Sequence, residues 1–252
     1  MCKAVIFSDL DGTLIFSAKK KRPGDIVCEY KDGAEISCIT ARQAELLPGL
    51  PVIPVTTRSI EQYRRIRFPE GFSPEYALAD NGGTLLVNGI PDPEWAELTR
   101  GFTRECGAEL SLCREAMERD PHRSFEIRMV DGLFLFTKSD RPEISLESMR
   151  SAAGEKIQCF CTGVKLYALP EKLCKGKLAR RLADRISPGC EIICAGDSTM
   201  DVPLLNIADT ALFPDDMPQE VITAKRKLTA PRDRFPEFVT EYFFKQDKGS
   251  TK

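Results

Sequence analysis

Apolar positions along the chain fall into short, near-continuous runs that end in polar clusters. Residues 3–8 form the first run, LPVIPVTTRS places a second at about 51–55, and SIEQYRRI follows it with helical spacing. PEYALADNGG offers a third short strand that ends at Asn81-Gly82-Gly83. Farther on, CKGKLARRLADRI reads as a helix with Leu178, Leu182 and Ile186 on one face. CEIICAGDSTMD reads as another buried strand, and DTALFP as a last short one. Strands that alternate with helices, each strand apolar on both sides, predict a mostly parallel sheet covered on both faces. In such sheets ligands bind beyond the carboxyl ends of the strands. Asp9 and Asp11, Thr56 to Ser59, Asn81, and Asp197 with Asp201 all sit at such ends, so the pattern predicts that they meet in one crevice.

Two segments break the alternation. Residues 16–39 carry the basic run KKKR at 19–22 and then two strand-like pieces, DIVCEY and AEISCI, around Lys31-Asp32-Gly33. They predict a β-hairpin flap over the end of the first strand, with the basic run read as a solvated face. Residues 84–170 hold helix-like DPEWAELTRGFTREC and GAELSLCREAMERD, strand-like SFEIRMV and LFLFTKS across Asp131-Gly132, a helix near 141–153, and strand-like VKLYALP. Grouped helices and hairpin strands describe a separate α+β unit. The expected organisation is an α/β core at 1–83 and 171–252, a Rossmann-like parallel sheet, with an α+β cap domain inserted at 84–170.

Composition narrows the function. At 252 residues and a formal net charge of -2, the chain has no electrostatic footprint for nucleic acid. No apolar run approaches the roughly 18–20 residues that span a bilayer. The N-terminus turns acidic after about five apolar residues, too soon for a signal-peptide core, which predicts a cytoplasmic protein without membrane partners. The 10 cysteines are scattered, without a CxxC pair, and read as small buried hydrophobes. A zinc site on Cys159, Cys161, Cys190 and Cys194 lacks ligand spacing. With His122 as the single histidine, Ser-His, Cys-His and multi-histidine metal chemistry all fall away. The chemistry must run on carboxylates, hydroxyls and amines.

Asp9 and Asp11, two apart on an extended chain, start on the same side at about 7 Å. Their repulsion calls for a cation between or beside them, or for one of them to be protonated. Asp197 and Asp201 add negative charge, which makes a hard divalent cation the simplest remedy, and oxygen-only ligands favour Mg²⁺ over zinc. A carboxylate beside Mg²⁺ can attack a phosphoryl group. Thr56 and Thr57 offer hydroxyls, and one of Lys172, Lys175 and Lys177 an ammonium, for the charge that develops. A second carboxylate, with Asp11 the candidate, protonates the leaving oxygen and later deprotonates water.

DLDGT at 9–13, VTTRS at 55–59, CKGKL at 174–178 and GDSTMD at 196–201 resemble, in order, the four motifs of the haloacid dehalogenase superfamily. An insert between the second and third motifs, after DNGG, resembles the type-2 capped sugar phosphatases of the Cof-like, sucrose-phosphatase and mannosyl-3-phosphoglycerate phosphatase groups. The resemblance implies that Asp9 is the nucleophile and a metal ligand, and that Asp11 is the general acid/base and lends its backbone carbonyl to the metal. It further implies that Thr56 binds phosphate and that Lys175, rather than Lys177, is the motif lysine. Asp197 becomes an acidic ligand and Asp201 a second ligand or an outer acid. Thr57 stands where these groups often have glycine, and the hairpin at 16–39 is a second departure.

The resulting expectation is a Mg²⁺-dependent phosphatase for a small phosphorylated metabolite, a sugar phosphate or a derivative, acting through an aspartyl-phosphate on Asp9. Two alternatives are a phosphomutase of the same superfamily and a non-catalytic binding protein on the same fold; four clustered acids weigh against the second. Arg58 reads equally as a substrate contact and as a surface ion pair, and Asn81 as a structural turn. Arg123, Arg128, Lys138 and Arg141 read as ordinary polar alternation in the insert, and Trp95 as core. The sequence leaves oligomeric state open.

Overall fold

The computed structural model describes residues 4–249; Cys2 and the first residue of the predicted opening strand lie outside them. The chain divides into two compact units, one running to Pro91 and resuming at Lys175, the other spanning Asp92–Cys174.

The first unit is built on a five-stranded parallel sheet, ordered Arg226–Ala230, Thr210–Pro214, Ile192–Ala195, Val5–Ser8, Val52–Pro54. Its central strands are buried along their whole length because both faces are covered. Successive residues alternate between the faces. Ile6, Ile193 and Leu212 join a core that includes Phe235, Val239 and Phe243 of the helix Phe235–Gly249. The helix Lys175–Ile186 buries Leu178, Leu182 and Ala183 but leaves Ile186 half-exposed. Gly176 allows this helix its close packing, since a Cβ there would lie 2.0 Å from the carbonyl oxygen of Pro203.

DTALFP is not the last strand. Arg226–Ala230 adds a further parallel strand outside it, and as an edge strand it exposes most of its side chains and shows no apolar run. Tyr76–Ala79 departs from the expected parallel pairing. It meets Val52–Val55 through a single parallel bridge, Val55 to Leu78, and otherwise pairs antiparallel with Thr84–Val87. The turn between them holds Asp80, Asn81 and Gly82 at φ 55°, 60° and 94°. This hairpin is the reason the unit boundary falls at Asp92 and not at 84.

The flap consists of Ile26–Lys31 and Ala34–Ile39, joined by Asp32-Gly33 with both φ values positive, as a tight two-residue hairpin turn requires. Phe16–Ser17 pairs with its second strand. A bulge around Glu29 breaks the alternation, so that Cys28 and Glu29 are both buried.

The second unit carries an antiparallel sheet ordered Ile157–Thr162, Lys165–Pro170, Phe134–Lys138, Arg128–Val130. Gly107–Arg119 and Pro142–Ala153 pack Leu110, Met117, Leu146 and Met149 against Leu135, Leu166 and Ala168. The strand Ile157–Thr162 is absent from the sequence reading, as the alternation of Ile157, Gln158 and Cys159 breaks off at Phe160 and Cys161, which are both half-buried. Trp95 is buried in the helix Pro93–Glu105. Among the described residues, eight cysteines are free thiols and seven of these are buried, in line with a packing role. Among the described residues, no helix is long and apolar enough to cross a membrane.

Candidate active site

The acids gather at the carboxyl ends of the parallel strands. Asp9 follows Val5–Ser8 and is 5% exposed; its backbone N–H donates to the carbonyl of Ala195, which ties the loop after one strand to its neighbour. Lys175, at the start of its helix and 3% exposed, donates from Nζ to Asp9 Oδ1 and Asp201 Oδ1, both at 2.6 Å. The other oxygen of Asp201 accepts from the backbone N–H of Asp197 and of Ser198 and from Ser198 Oγ. Gly196 makes this loop possible, because a Cβ there would sit 2.3 Å from the Asp201 Cβ. Gly12, at φ 82°, plays the same part for the first loop, since a Cβ would meet Asp197 Oδ2 at 2.2 Å.

Asp197 is held from the far side. Arg232 Nη1 donates to its Oδ2 at 3.0 Å and to its carbonyl at 2.9 Å, while the same guanidinium grips Asp216 through two bonds of 2.8 Å. Arg232 follows the strand Arg226–Ala230, and without that strand the sequence offers no signal for its role. A cavity of about 870 Å³ opens here, and its lining includes Gly12, Phe16, Asp197 and Arg232. Lys20 and Arg22 of the basic run also line it, and all four residues of that run are exposed, as a solvated face requires.

Asp11 lies apart from this group. Both of its carboxylate oxygens accept from Arg58, Nε to Oδ2 at 2.7 Å and Nη2 to Oδ1 at 2.6 Å. Arg58 Nη1 in turn donates to Glu29 Oε2 at 2.8 Å. Thr56 is buried, and its Oγ1 accepts from the Arg58 N–H. Thr57 is half-buried. The turn at Asp80-Asn81 braces this loop, with Asp80 N–H on the Arg58 carbonyl and Asn81 N–H on that of Thr56. Lys172 and Lys177 are exposed, Lys172 on Glu105. In the second unit Arg128 pairs with Glu126, Lys138 and Arg128 lie over Phe125, and Arg123 donates to the Phe125 carbonyl. Arg141 hydrogen-bonds through its backbone to Ser139 and Ser145.

Three carboxylates, Asp9, Asp197 and Asp201, each place one oxygen so that all three lie within 4.8 Å of one another. Burial, and then the Asp201 charge, push the Asp9 carboxyl well above the usual range despite Lys175. The same two causes push Asp197 up to about 6 against the pull of Arg232. Asp9, Asp197 and Asp201 share one ammonium, Lys175, and one guanidinium, Arg232, that Asp216 also holds, so the acids outnumber the local cations. Hard oxygen donors with surplus charge fit a divalent cation. The Asp11 carboxylate is not among them.

No family model and no curated protein matches this sequence. The fold does resemble solved structures. A sucrose-phosphatase from Synechocystis sp., solved with sucrose and phosphate, superposes with a TM-score of 0.64 at 16% identity, over 96% of this chain and 98% of that one. The C-terminal domain of the C. albicans trehalose-6-phosphate phosphatase gives 0.59 at 13%, over 98% and 93%. An Aspergillus fumigatus trehalose-6-phosphate phosphatase gives 0.56 at 14%, over 96% and 93%. The chain has the fold of these phosphatases. Each match covers 96–98% of this chain and so takes in residues of both units.

Proposed function

We propose that the protein is a Mg²⁺-dependent phosphatase that hydrolyses a phosphomonoester of a small metabolite, a sugar phosphate, through an aspartyl-phosphate on Asp9. The observation that carries this reading is the buried Asp9–Lys175–Asp201 constellation, with Asp197 beside it, at the strand ends of a phosphatase fold. The solved neighbours named for sucrose phosphate and trehalose phosphate chemistry support the substrate class.

In this reading a carboxylate oxygen of Asp9 attacks phosphorus while the ester P–O bond breaks, and the departing oxygen takes a proton from Asp11. Water then gives its proton to Asp11 and attacks the phosphoryl group, which frees inorganic phosphate and the Asp9 carboxylate. Lys175 fixes the attacking carboxylate and supplies positive charge for the phosphoryl oxygens, with Thr56, and Thr57 beside it, as the hydroxyl donors. Asp9, Asp197 and Asp201 would hold Mg²⁺, with the Asp11 backbone carbonyl as a further ligand; the bound ion supplies charge neutralisation for the approaching phosphate.

The test is phosphate release from p-nitrophenyl phosphate and from a panel of sugar phosphates, with and without Mg²⁺. Hydrolysis that needs Mg²⁺ and falls by at least about 10³-fold in Asp9→Asn, with the fold intact, is the expected result. Undiminished hydrolysis in that variant refutes the mechanism. Transfer between substrate hydroxyls with little phosphate release would instead identify a mutase.

A further inference from the structure

One guanidinium ties together the ends of three neighbouring strands. Asp197 lies beyond Ile192–Ala195, Asp216 beyond Thr210–Pro214 and Arg232 beyond Arg226–Ala230, and these strands are adjacent in the parallel sheet. Arg232 turns its Nε and Nη2 to Asp216, with both bonds at 2.8 Å. It gives Nη1 to Asp197, to the carbonyl at 2.9 Å and to Oδ2 at 3.0 Å. A fork of this kind fixes the plane of the guanidinium, because two parallel bonds resist rotation. Asp216 thereby decides where Nη1 stands, and Nη1 holds both the backbone and one carboxylate oxygen of Asp197. The Asp215 N–H on the Ala230 carbonyl, at 3.0 Å, joins two of the loops a second time. On the other side Gly12 packs so closely that a Cβ there would lie 2.2 Å from Asp197 Oδ2, which leaves this carboxylate little room to swing.

The acids of the cluster are left with few open oxygens. Lys175 takes Oδ1 of Asp9, and Asp201 has donors on both of its oxygens. Among the described residues, Asp197 Oδ1 and Asp9 Oδ2 accept no hydrogen bond. The site thus presents single oxygens and not chelating carboxylates. Mg²⁺ and Ca²⁺ differ on this point. Mg²⁺ demands octahedral geometry at about 2.0–2.1 Å, whereas Ca²⁺ takes roughly 6–8 oxygens at about 2.3–2.6 Å and readily accepts both oxygens of one carboxylate. A cation that chelates Asp197 must share Oδ2 with the guanidinium, against like-charge repulsion, or break the Arg232 bond.

We infer that Arg232, oriented by Asp216, is a positioning residue that sets metal selectivity: by keeping Asp197 a one-oxygen ligand it favours Mg²⁺ over Ca²⁺. The inference rests on the divalent-cation part of the proposed reading and involves no change of protonation.

Charge alone would act differently. Removing the Arg232 charge strengthens attraction for any divalent cation, so this effect cancels in the ratio of the Kd for Ca²⁺ to the Kd for Mg²⁺, and geometry remains. Calorimetric titration of the metal-free protein with MgCl₂ and with CaCl₂ measures the ratio. Arg232→Ala frees Oδ2 and should lower it about tenfold, chiefly through tighter Ca²⁺ binding, in the range found when a group that orients a metal ligand is removed. Arg232→Lys keeps the charge but loses the fork, and should lower the ratio nearly as far. Asp216→Asn keeps the guanidinium but weakens its hold, and should fall between these variants and the wild type. Circular dichroism identifies the variants that fold, and Arg232→Lys and Asp216→Asn keep a cation at the site should Arg232→Ala collapse. An unchanged or raised ratio in the folded variants overturns the role of the clamp, since a merely structural or electrostatic contact moves both cations together. Wild-type protein that binds neither cation overturns the metal reading, and this inference with it. Wild-type protein that binds Mg²⁺ but releases no phosphate overturns the phosphatase reading alone, and the ratio still decides the clamp.

Discussion

Removing one acid from the cluster should stabilise the metal-free protein. Asp197 titrates near 6 in the folded state, against an ordinary 3.8, because burial and the neighbouring Asp201 disfavour its charge. A carboxyl whose folded pKa is raised binds its proton more tightly in the native state, so stability falls as pH climbs from about 4 through 6. At about 1.4 kcal/mol per decade, the rise from 3.8 to about 6 corresponds to roughly 3 kcal/mol lost by neutral pH. The side chain is 18% exposed, so solvent screening removes only part of this. Asp197→Asn lacks the titrating group. In EDTA, the difference in unfolding free energy between variant and wild type should therefore move in the variant's favour by about 2–3 kcal/mol between pH 4 and pH 7, most of it before pH 6.5. Urea denaturation followed by circular dichroism across that range measures it. Arg232 keeps its two bonds to Asp216, so the variant creates no unpaired cation to mask the trend. Adding Mg²⁺ at pH 7 should reverse the order, since the ion stabilises the wild type by its binding free energy and the variant less. A difference that is flat with pH, or that grows in the opposite direction, would refute the claim that the site holds surplus negative charge.

Lys175→Met tests the same balance from the other side. Leaving Asp9 and Asp201 buried without their ammonium should cost about 3–5 kcal/mol in EDTA at pH 8, read by urea denaturation, and a loss under 1 kcal/mol would contradict the two 2.6 Å bonds. Gly176→Ala places a Cβ 2.0 Å from a backbone carbonyl, so the helix must shift away from Pro203; the expected cost is about 1–3 kcal/mol in unfolding free energy, and an unchanged stability would contradict the close approach.

The fold was legible where burial on both faces writes a continuous apolar run, as in Val5–Ser8 and Ile192–Ala195. It was hidden where burial is one-sided. Arg226–Ala230 buries only Ala230 fully and reads as polar, although the sheet, and through it Arg232, depends on that strand. The unit boundary was misplaced for a related reason. Thr84–Val87 looks like the opening of a new unit because it follows Asn81-Gly82-Gly83, yet it folds straight back on Tyr76–Ala79. Glu29 was invisible because alternation assigns one face to each residue, and a bulge gives Cys28 and Glu29 the same interior.

Repulsion between Asp9 and Asp11 called for a cation between or beside them, or for one of them to be protonated. The structure gives separate cations to separate acids: Lys175 to Asp9 and Asp201, Arg58 to Asp11, Arg232 to Asp197. Which cation reaches which acid is decided by long-range topology. Arg58 lies 47 residues from Asp11 and Lys175 lies 166 from Asp9, separations that local spacing does not encode. The partition has a chemical consequence. An acid held by a point-charge ammonium keeps an oxygen free to meet an electrophile, as Asp9 does with Lys175 on Oδ1 alone. An acid gripped by a guanidinium fork has both oxygens occupied and a fixed plane, and so has none free to attack. The two aspartates of DLDGT are thus made unequal by their partners, and of the two it is Asp9 that has the arrangement a nucleophile needs.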